Sequence, residues 1–239
     1  MPDDETPKDF PKWDYQEYPK TLPRDDFWGQ VRRTIMGRRI SETEVALIVD
    51  HIRDQLRLRR SDTLLDIGCG NGALSARLFD DCAGYVGVDL SPYLIEVAQE
   101  FFERPPTHLF FNSDAAQFVE FLDEPGRFTK GLCFATLQYL PLATVQAVLQ
   151  ILSERFPNLC RVLLGNLPNL EKADLFFNDG YNESDLQRHE SQVGKWWSTQ
   201  EIGCLASSFG WEVSYSRMSA DIFNAKYRFD AILTRCVSS

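Results

Sequence analysis

The sequence predicts a doubly wound α/β fold: a seven-stranded sheet, mostly parallel, with one antiparallel strand supplied by a C-terminal hairpin. Three observations predict it. Five short apolar runs alternate with helical patterns. A glycine-rich turn follows the first of those runs. Two strand-like runs near the C-terminus stand too close together to hold a crossover helix.

The elements follow in order. Residues 1–24 carry five prolines and the aromatics Phe10, Trp13, Tyr15 and Tyr18. This composition opposes regular structure and fits either a disordered tail or an extended arm laid over the domain. Ser41-x-x-Glu44 is a capping-box pattern, and Val45, Ile48, Val49, Ile52 and Leu56 continue it at helical spacing. Runs at residues 63–67, 85–88, 108–111, 131–134 and 161–164 read as buried parallel strands.

Helices separate the runs. Ser91-Pro92 supplies an N-cap and an N1 proline ahead of Leu94, Val97, Ala98 and Phe101. Asp114 caps a helix carrying Phe118, Phe121 and Leu122, which Pro125-Gly126 ends. Pro141 opens a longer one with Leu142, Val145, Leu149, Leu152 and Phe156 on one stripe, stopped by Pro157. After a helix around residues 199–209, the runs at 211–218 and 227–234 are expected to pair antiparallel at the sheet edge. Residues 1–40 then read as an arm and lid segment, and 41–239 as the domain, with a lid insertion at about 166–197.

Composition narrows the function classes. Hydrophobic residues make up 44% and charged residues 25% of the 239-residue chain, as in soluble globular proteins. No apolar run approaches a membrane span and the N-terminus lacks signal-peptide regions, so a cytoplasmic protein without a membrane partner is expected. Six cysteines, at 69, 82, 133, 160, 204 and 236, form no C-x-x-C pair and read as small buried hydrophobes in a reducing compartment, with no metal site. The sequon at Asn182 then carries no meaning. A net charge of -10 repels polyanions, so nucleic acid is not an expected partner. The basic residues between Arg53 and Arg60 read as a solvated helix face.

The chemistry begins at "DTLLDIGCGNGALS", residues 62–75. Gly68, Gly70 and Gly72 sit where the first strand must turn into a helix expected near Ala73, and their missing side chains let a ligand approach backbone N–H groups. Gly68-x-Gly70-x-x-Ala73 also fits the relaxed dinucleotide fingerprint, with Asp89 as the acid on a ribose hydroxyl pair. Asp66 discriminates between ligands. At the strand tip it would repel a pyrophosphate ~4 Å away by several kcal/mol at an effective dielectric of ~20. A ligand bearing an ammonium and a sulfonium, such as S-adenosylmethionine, turns that repulsion into attraction.

Through "LLDIGCGNG", "VGVDLS" and "NSDAAQF" the sequence resembles the class I S-adenosylmethionine-dependent methyltransferases, from about Asp62 to Arg235, on a Rossmann-like sheet. "DFWGQVRR", "GKWW" and "YRFDAILTR" look like the broad bacterial small-molecule group of these enzymes. The resemblance implies that Asp66, Gly68, Gly70 and Gly72, with Cys69 and Asn71 between them, run along the methionine moiety. It places Asp89 on the ribose hydroxyls and Leu90 against the adenine. Asp114 accepts from the adenine amino group, Ala115 gives a backbone contact, and Phe134 stands beside the cofactor. Trp28 belongs to a segment closing the cofactor site, and Arg33 pairs with the cofactor carboxylate or forms a surface salt bridge. Other roles fit the same residues: Asp114 is a good N-cap without any ligand, Asp89 suits a turn, and Cys69 reads as a small spacer.

For the methyl acceptor, residues 134–139, "FATLQY", lack the Asn/Asp-Pro-Pro-aromatic turn of the amino-methylating DNA enzymes and any acid to ligate magnesium, and Cys133 lies inside the strand. The connection 166–197 mixes Phe176, Phe177, Asn178, Asp179, Gly180, Tyr181, His189, Trp196 and Trp197, which suits a lid over a small polar molecule. His189 is the first candidate general base, since imidazole titrates near ~6.5; an exposed helical face suits it equally. Tyr181 and Tyr139 are second candidates, and Trp196 and Trp197 are expected to pack. His51 and His108 are placed away from the chemistry. The expected function is methyl transfer to a small-molecule hydroxyl, of sugar or natural-product type, with S-adenosylhomocysteine as product. An NAD-dependent oxidoreductase or epimerase leaves Asp66 and the reversed strand unexplained. A cofactor-binding sensor or activator without turnover stays open, and methylation of protein or RNA is disfavoured by the acidic charge.

Overall fold

The computed structural model describes residues 15–35, 38–177, 180–191 and 193–235; Phe10, Trp13, Asn178, Asp179 and Cys236 lie outside them. A short antiparallel pair, β1 (Thr34–Ile35) and β2 (Arg38–Arg39), precedes the main sheet. That sheet has seven strands: β3 (Thr63–Ile67), β4 (Gly84–Asp89), β5 (His108–Asn112), β6 (Lys130–Phe134), β7 (Arg161–Pro168), β8 (Glu212–Ser216) and β9 (Arg228–Thr234). Their order is β5-β4-β3-β6-β7-β9-β8. Pairing is parallel from β5 through β7, while β9 runs antiparallel to both β7 and β8. The order reverses beside β3, so a crevice opens outside the carboxyl ends of the parallel strands.

The expected hairpin forms with one refinement. The last strand does not finish the sheet; β9 enters between β7 and β8 and leaves β8 at the edge. The sequences explain this placement. Residues of β9 are buried along both faces, whereas β8 is largely exposed or half-buried, and a strand buried on both faces gains most from two neighbours.

Six described helices flank the sheet: α1 (Phe27–Gln30), α2 (Glu42–Leu56), α3 (Pro92–Phe102), α4 (Ala115–Phe121), α5 (Leu142–Arg155) and α6 (Thr199–Ser207). The Ser41 capping box closes at α2. Ser91 caps α3 with Pro92 following, and Asp114 caps α4 through Ala116 N–H and Gln117 N–H. The sequence periodicity lands on the buried faces for Val45, Ile48, Val49, Ile52, Leu56, Leu94, Val97, Ala98, Val145, Leu149 and Leu152, whereas Phe101, Phe121 and Leu142, expected on the same stripes, are exposed. Two cores result, one centred on α4, α5 and α6 and the other on α2 and α3, on opposite faces of the sheet.

The element after the glycine turn departs from expectation. No α-helix starts near Ala73; a 3-10 segment, Ser75–Asp81, stands in its place. A 3-10 segment has poorer hydrogen-bond geometry than an α-helix, so the turn lacks the regular α-helix N-terminus expected after the glycines. The chain ahead of α2 packs on the domain: Phe27 sits against Phe101 and Phe102, with ring centroids 5.1 and 4.9 Å apart. The buried Gln30 accepts from Asn71 Nδ2 at 2.9 Å.

The connection after β7 is pinned at its base, where Trp197 N–H donates to Pro168 O (2.9 Å) and Leu170 N–H to Trp197 O (3.0 Å). Trp196 and Trp197 are both buried, the first in a small aromatic cluster with Leu186 and Tyr227 and the second in the main core. The five described cysteines are free, and Cys204 is exposed, against its reading as a buried hydrophobe. Among the described residues no helix is long and apolar enough to cross a membrane.

Candidate active site

A cavity of about 780 Å³ opens at the carboxyl ends of β3, β4 and β6. Gly68, Cys69 and Gly70 line one end, with Asp89, Leu90, Ser113, Asp114 and Ala115 around them. Gly68 and Gly70 have φ of 75° and 57°, in the left-handed region. A Cβ on Gly68 would stand 2.2 Å from Thr136 Cγ2, so only glycine permits this approach of loop to strand. Gly72 is different: it does not line the cavity, and a Cβ there would meet the Phe110 ring at 2.7 Å. Its role is packing under the loop, a correction to its place along the ligand.

Asp66 requires a larger correction. It is 2% exposed and absent from the cavity wall. Its Oδ2 accepts from the Ser75 hydroxyl and from Tyr85 OH at 2.9 Å. Burial raises its pKa to about 6, against the smaller lowering by those two hydroxyls. Asp66 thus braces the glycine loop from below and does not line the cavity. Above it, Gly70 N–H is spent on Asp89 Oδ2 (2.9 Å).

Asp89 does face the cavity. Its Oδ1 accepts from Ser91 N–H at 2.9 Å, and burial raises its pKa against the lowering by the backbone donors. Leu90 beside it is 60% exposed although the residues before it are core. Asp114 spends Oδ1 on the cap of α4, at 2.9 and 3.0 Å, so both its expected roles are compatible. Asn71 also lines the cavity, but its side chain donates to Phe27 O and Gln30 Oε1, which clamps the N-terminal segment to the loop. The Cys69 thiol is pushed up by burial, consistent with a spacer.

Trp28, Arg33 and Phe134 close this end. Trp28 Nε1 donates to Glu42 at 3.3 Å. The Arg33 guanidinium lies 5.4 Å from the Phe134 ring centroid, its Nε buried without a partner. Burial lowers its pKa to about 10, with Arg228 adding to the lowering. A surface salt bridge is therefore not its role.

The other end collects residues from distant parts of the chain. Ala135 and Asn166, both with φ of 59°, bend the chain at β6 and within β7; non-glycine residues in this region are strained and are held by their surroundings. Asn166 N–H donates to Asp230 Oδ1 at 2.6 Å, and Asp230 Oδ2 meets His51 Nε2 at 2.8 Å. Arg228 donates to Asn166 O at 2.7 Å. His189 lines the same cavity, its side chain 28% exposed and its Nδ1 3.4 Å from Glu190. Tyr181 does not: it packs on Phe177 at 5.1 Å in the aromatic cluster, and desolvation, with Asp174, raises its pKa. This removes it as a candidate base. Tyr139 reaches the wall.

Asn166, Lys226 and Arg228 were not singled out by sequence reasoning. The signal was available: if the last strand is antiparallel, its first residues lie at the carboxyl edge of the parallel ones, and Arg228 indeed pairs with Pro168 at the end of β7.

The profile of a family described as "Methyltransferase domain" matches residues 64–155, from β3 to the end of α5. An uncharacterised methyltransferase of Schizosaccharomyces pombe is 41% identical over 56 residues, 23% of this chain and 22% of that protein. Two solved structures share the fold at low identity. One is a chain of the complex between the Haloferax volcanii Trm112 methyltransferase activator and its putative methyltransferase (TM-score 0.63, 14% identity, 96% of this chain and 99% of that one). The other is the geranyl diphosphate C-methyltransferase of Streptomyces coelicolor (TM-score 0.59, 13% identity, 80% of each chain).

Proposed function

We propose that the chain, whose residues 64–155 match a family described as a methyltransferase domain, is a class I S-adenosylmethionine-dependent methyltransferase that moves a methyl group to a hydroxyl of a small-molecule acceptor, of sugar or natural-product type. The observation that carries the reading is that Asp89, Leu90 and His189 wall one continuous cavity.

The residues at the glycine end fit the cofactor. Each Asp89 oxygen accepts one backbone N–H and keeps a lone pair for a ribose hydroxyl. The bare face of Leu90 suits an adenine ring, and Asp114 keeps Oδ2 for its amino group. Arg33, with its unpartnered Nε, suits the carboxylate. When bound, S-adenosylmethionine supplies a methyl on a sulfonium that is open to in-line displacement. The protein aligns the acceptor, excludes water behind the segment that Asn71 clamps, and removes the acceptor's proton at His189. In this reading residues 1–40 are the arm and closing segment, and about 166–197 is the lid of the domain.

Calorimetric titration with S-adenosylhomocysteine and, separately, with NAD tests this. One-site binding of the first alone is expected, weakened by about 1–3 kcal/mol in Asp89→Ala through two lost charge-assisted bonds. Binding of NAD alone sinks the reading.

A further inference from the structure

The acceptor end of the cavity is cationic in a protein whose net charge is -10. Lys226 and Arg228 enter it from the turn that leads into β9. Neither has an acidic partner within salt-bridge distance among the described residues, although most other arginines of the chain are paired with acids or capped by carbonyls. The Lys226 ammonium lies 3.9 Å from the Phe223 ring centroid. Arg228 spends one nitrogen on Asn166 O and leaves Nε buried without a partner. Asp230, two residues further along β9, forms no ion pair with it; its oxygens meet Asn166 N–H and His51 Nε2. Asn166 Oδ1 and Gln138 Oε1, both on this wall, are also buried without partners.

Like charges gathered without a carboxylate between them are costly unless a ligand completes them. The cofactor brings one carboxylate, which Arg33 beside Phe134 suits. Two further cations line the same cavity, Lys226 over the Phe223 ring and Arg228 5.9 Å from the Tyr227 ring centroid, in a wall that also holds His189. Resting on the methyltransferase reading above, we propose that the acceptor bears an anionic group, a carboxylate or phosphate, which Lys226 and Arg228 grip while the rest of the molecule lies along Phe223 and Tyr227. Arg228 offers Nε–H and a terminal N–H to one oxygen pair, and Lys226 closes over it as a point charge. The positive end also draws such an acceptor into a protein whose overall field repels anions.

The test titrates inorganic phosphate and benzoate, with benzamide as the neutral counterpart, at fixed ionic strength into free protein and into protein loaded with S-adenosylhomocysteine, read by thermal shift. Saturable stabilisation of the loaded protein by at least one anion and not by benzamide is expected, weakened tenfold or more in Arg228→Gln and several-fold in Lys226→Gln. Both variants keep S-adenosylhomocysteine affinity within twofold; Lys226 is exposed, so its variant guards against a folding defect at Arg228. No saturable effect of either anion, an effect unchanged in both variants, or displacement of S-adenosylhomocysteine by the anion each overturn the proposal. Failure of S-adenosylhomocysteine to bind strikes the methyltransferase reading instead, and the free-protein titration still decides whether the cations form an anion site.

Discussion

The two ends of the cavity are built by different means. The glycine end is made by the tips of neighbouring strands, and its shape comes from backbone: Gly68 N–H and Cys69 N–H both donate to Val88 O at 2.8 and 3.1 Å, and Gly70 N–H to Asp89. The acceptor end is made by side chains brought together from β6, β7, the long connection and the turn before β9. Its ties are long-range, such as Lys195 N–H to Gln138 O (2.8 Å) and Arg228 to Asn166 O. The comparison teaches that the glycine end is written locally in the chain and the other end in tertiary closure; under the proposed function a change at the first is expected to show in cofactor affinity and one at the second in turnover.

The largest effect is expected at the acceptor end. His189→Ala should lower kcat by about two to four orders of magnitude, the usual contribution of a general base, with S-adenosylhomocysteine affinity unmoved. Steady-state kinetics beside calorimetry separates the two quantities, and unchanged kcat takes His189 out of the mechanism.

A smaller effect tests the glycine end without its ligand. Burial holds the folded-state pKa of Asp66 at about 6, above the ordinary carboxylate value. The folded protein therefore binds more protons than the unfolded chain between about pH 4 and 6, and stability from this group is lost as pH rises through that window, by up to about 3 kcal/mol. Asp66→Asn lacks this loss, so the variant gains on the wild type across the window. Urea unfolding of both proteins at successive pH values measures the difference, and parallel curves would contradict the assigned pKa.

The smallest effect is expected at Tyr181. Tyr181→Phe keeps the ring packing on Phe177 and should change kcat by less than about twofold, within the range of a substitution outside the site. A loss comparable to that at His189 would restore Tyr181 to the chemistry.

These expectations also mark what the sequence could carry. The strand tips were legible because turn, cap and glycine are neighbours in the chain: Ser91-Pro92 and Asp114 cap helices where their patterns place them. Asp66 was misassigned because nearly every residue of β3 is buried, so alternation gives no sign of which way a side chain points. The 3-10 segment after the loop was hidden since Ala73, Leu74 and Leu78 are equally apolar in either helix type. Lys226 and Arg228 are not legible from pattern alone, because their place at the cavity follows only from the antiparallel direction of β9, which brings its first residues to the carboxyl edge of β7.

The position of β9 has a consequence for how the site comes into being. Strand β8 has no sheet neighbour except β9, and β9 is the last described strand of the chain. During synthesis from the N-terminus, the glycine end can assemble as soon as β3, β4, β5 and β6 have emerged. The acceptor end has to wait until residues 226–234 leave the ribosome and thread beside β7. A chain cut before β9 would keep the strand tips at the glycine end, lose Arg228 from the cavity wall and leave β8 without a neighbour in the sheet.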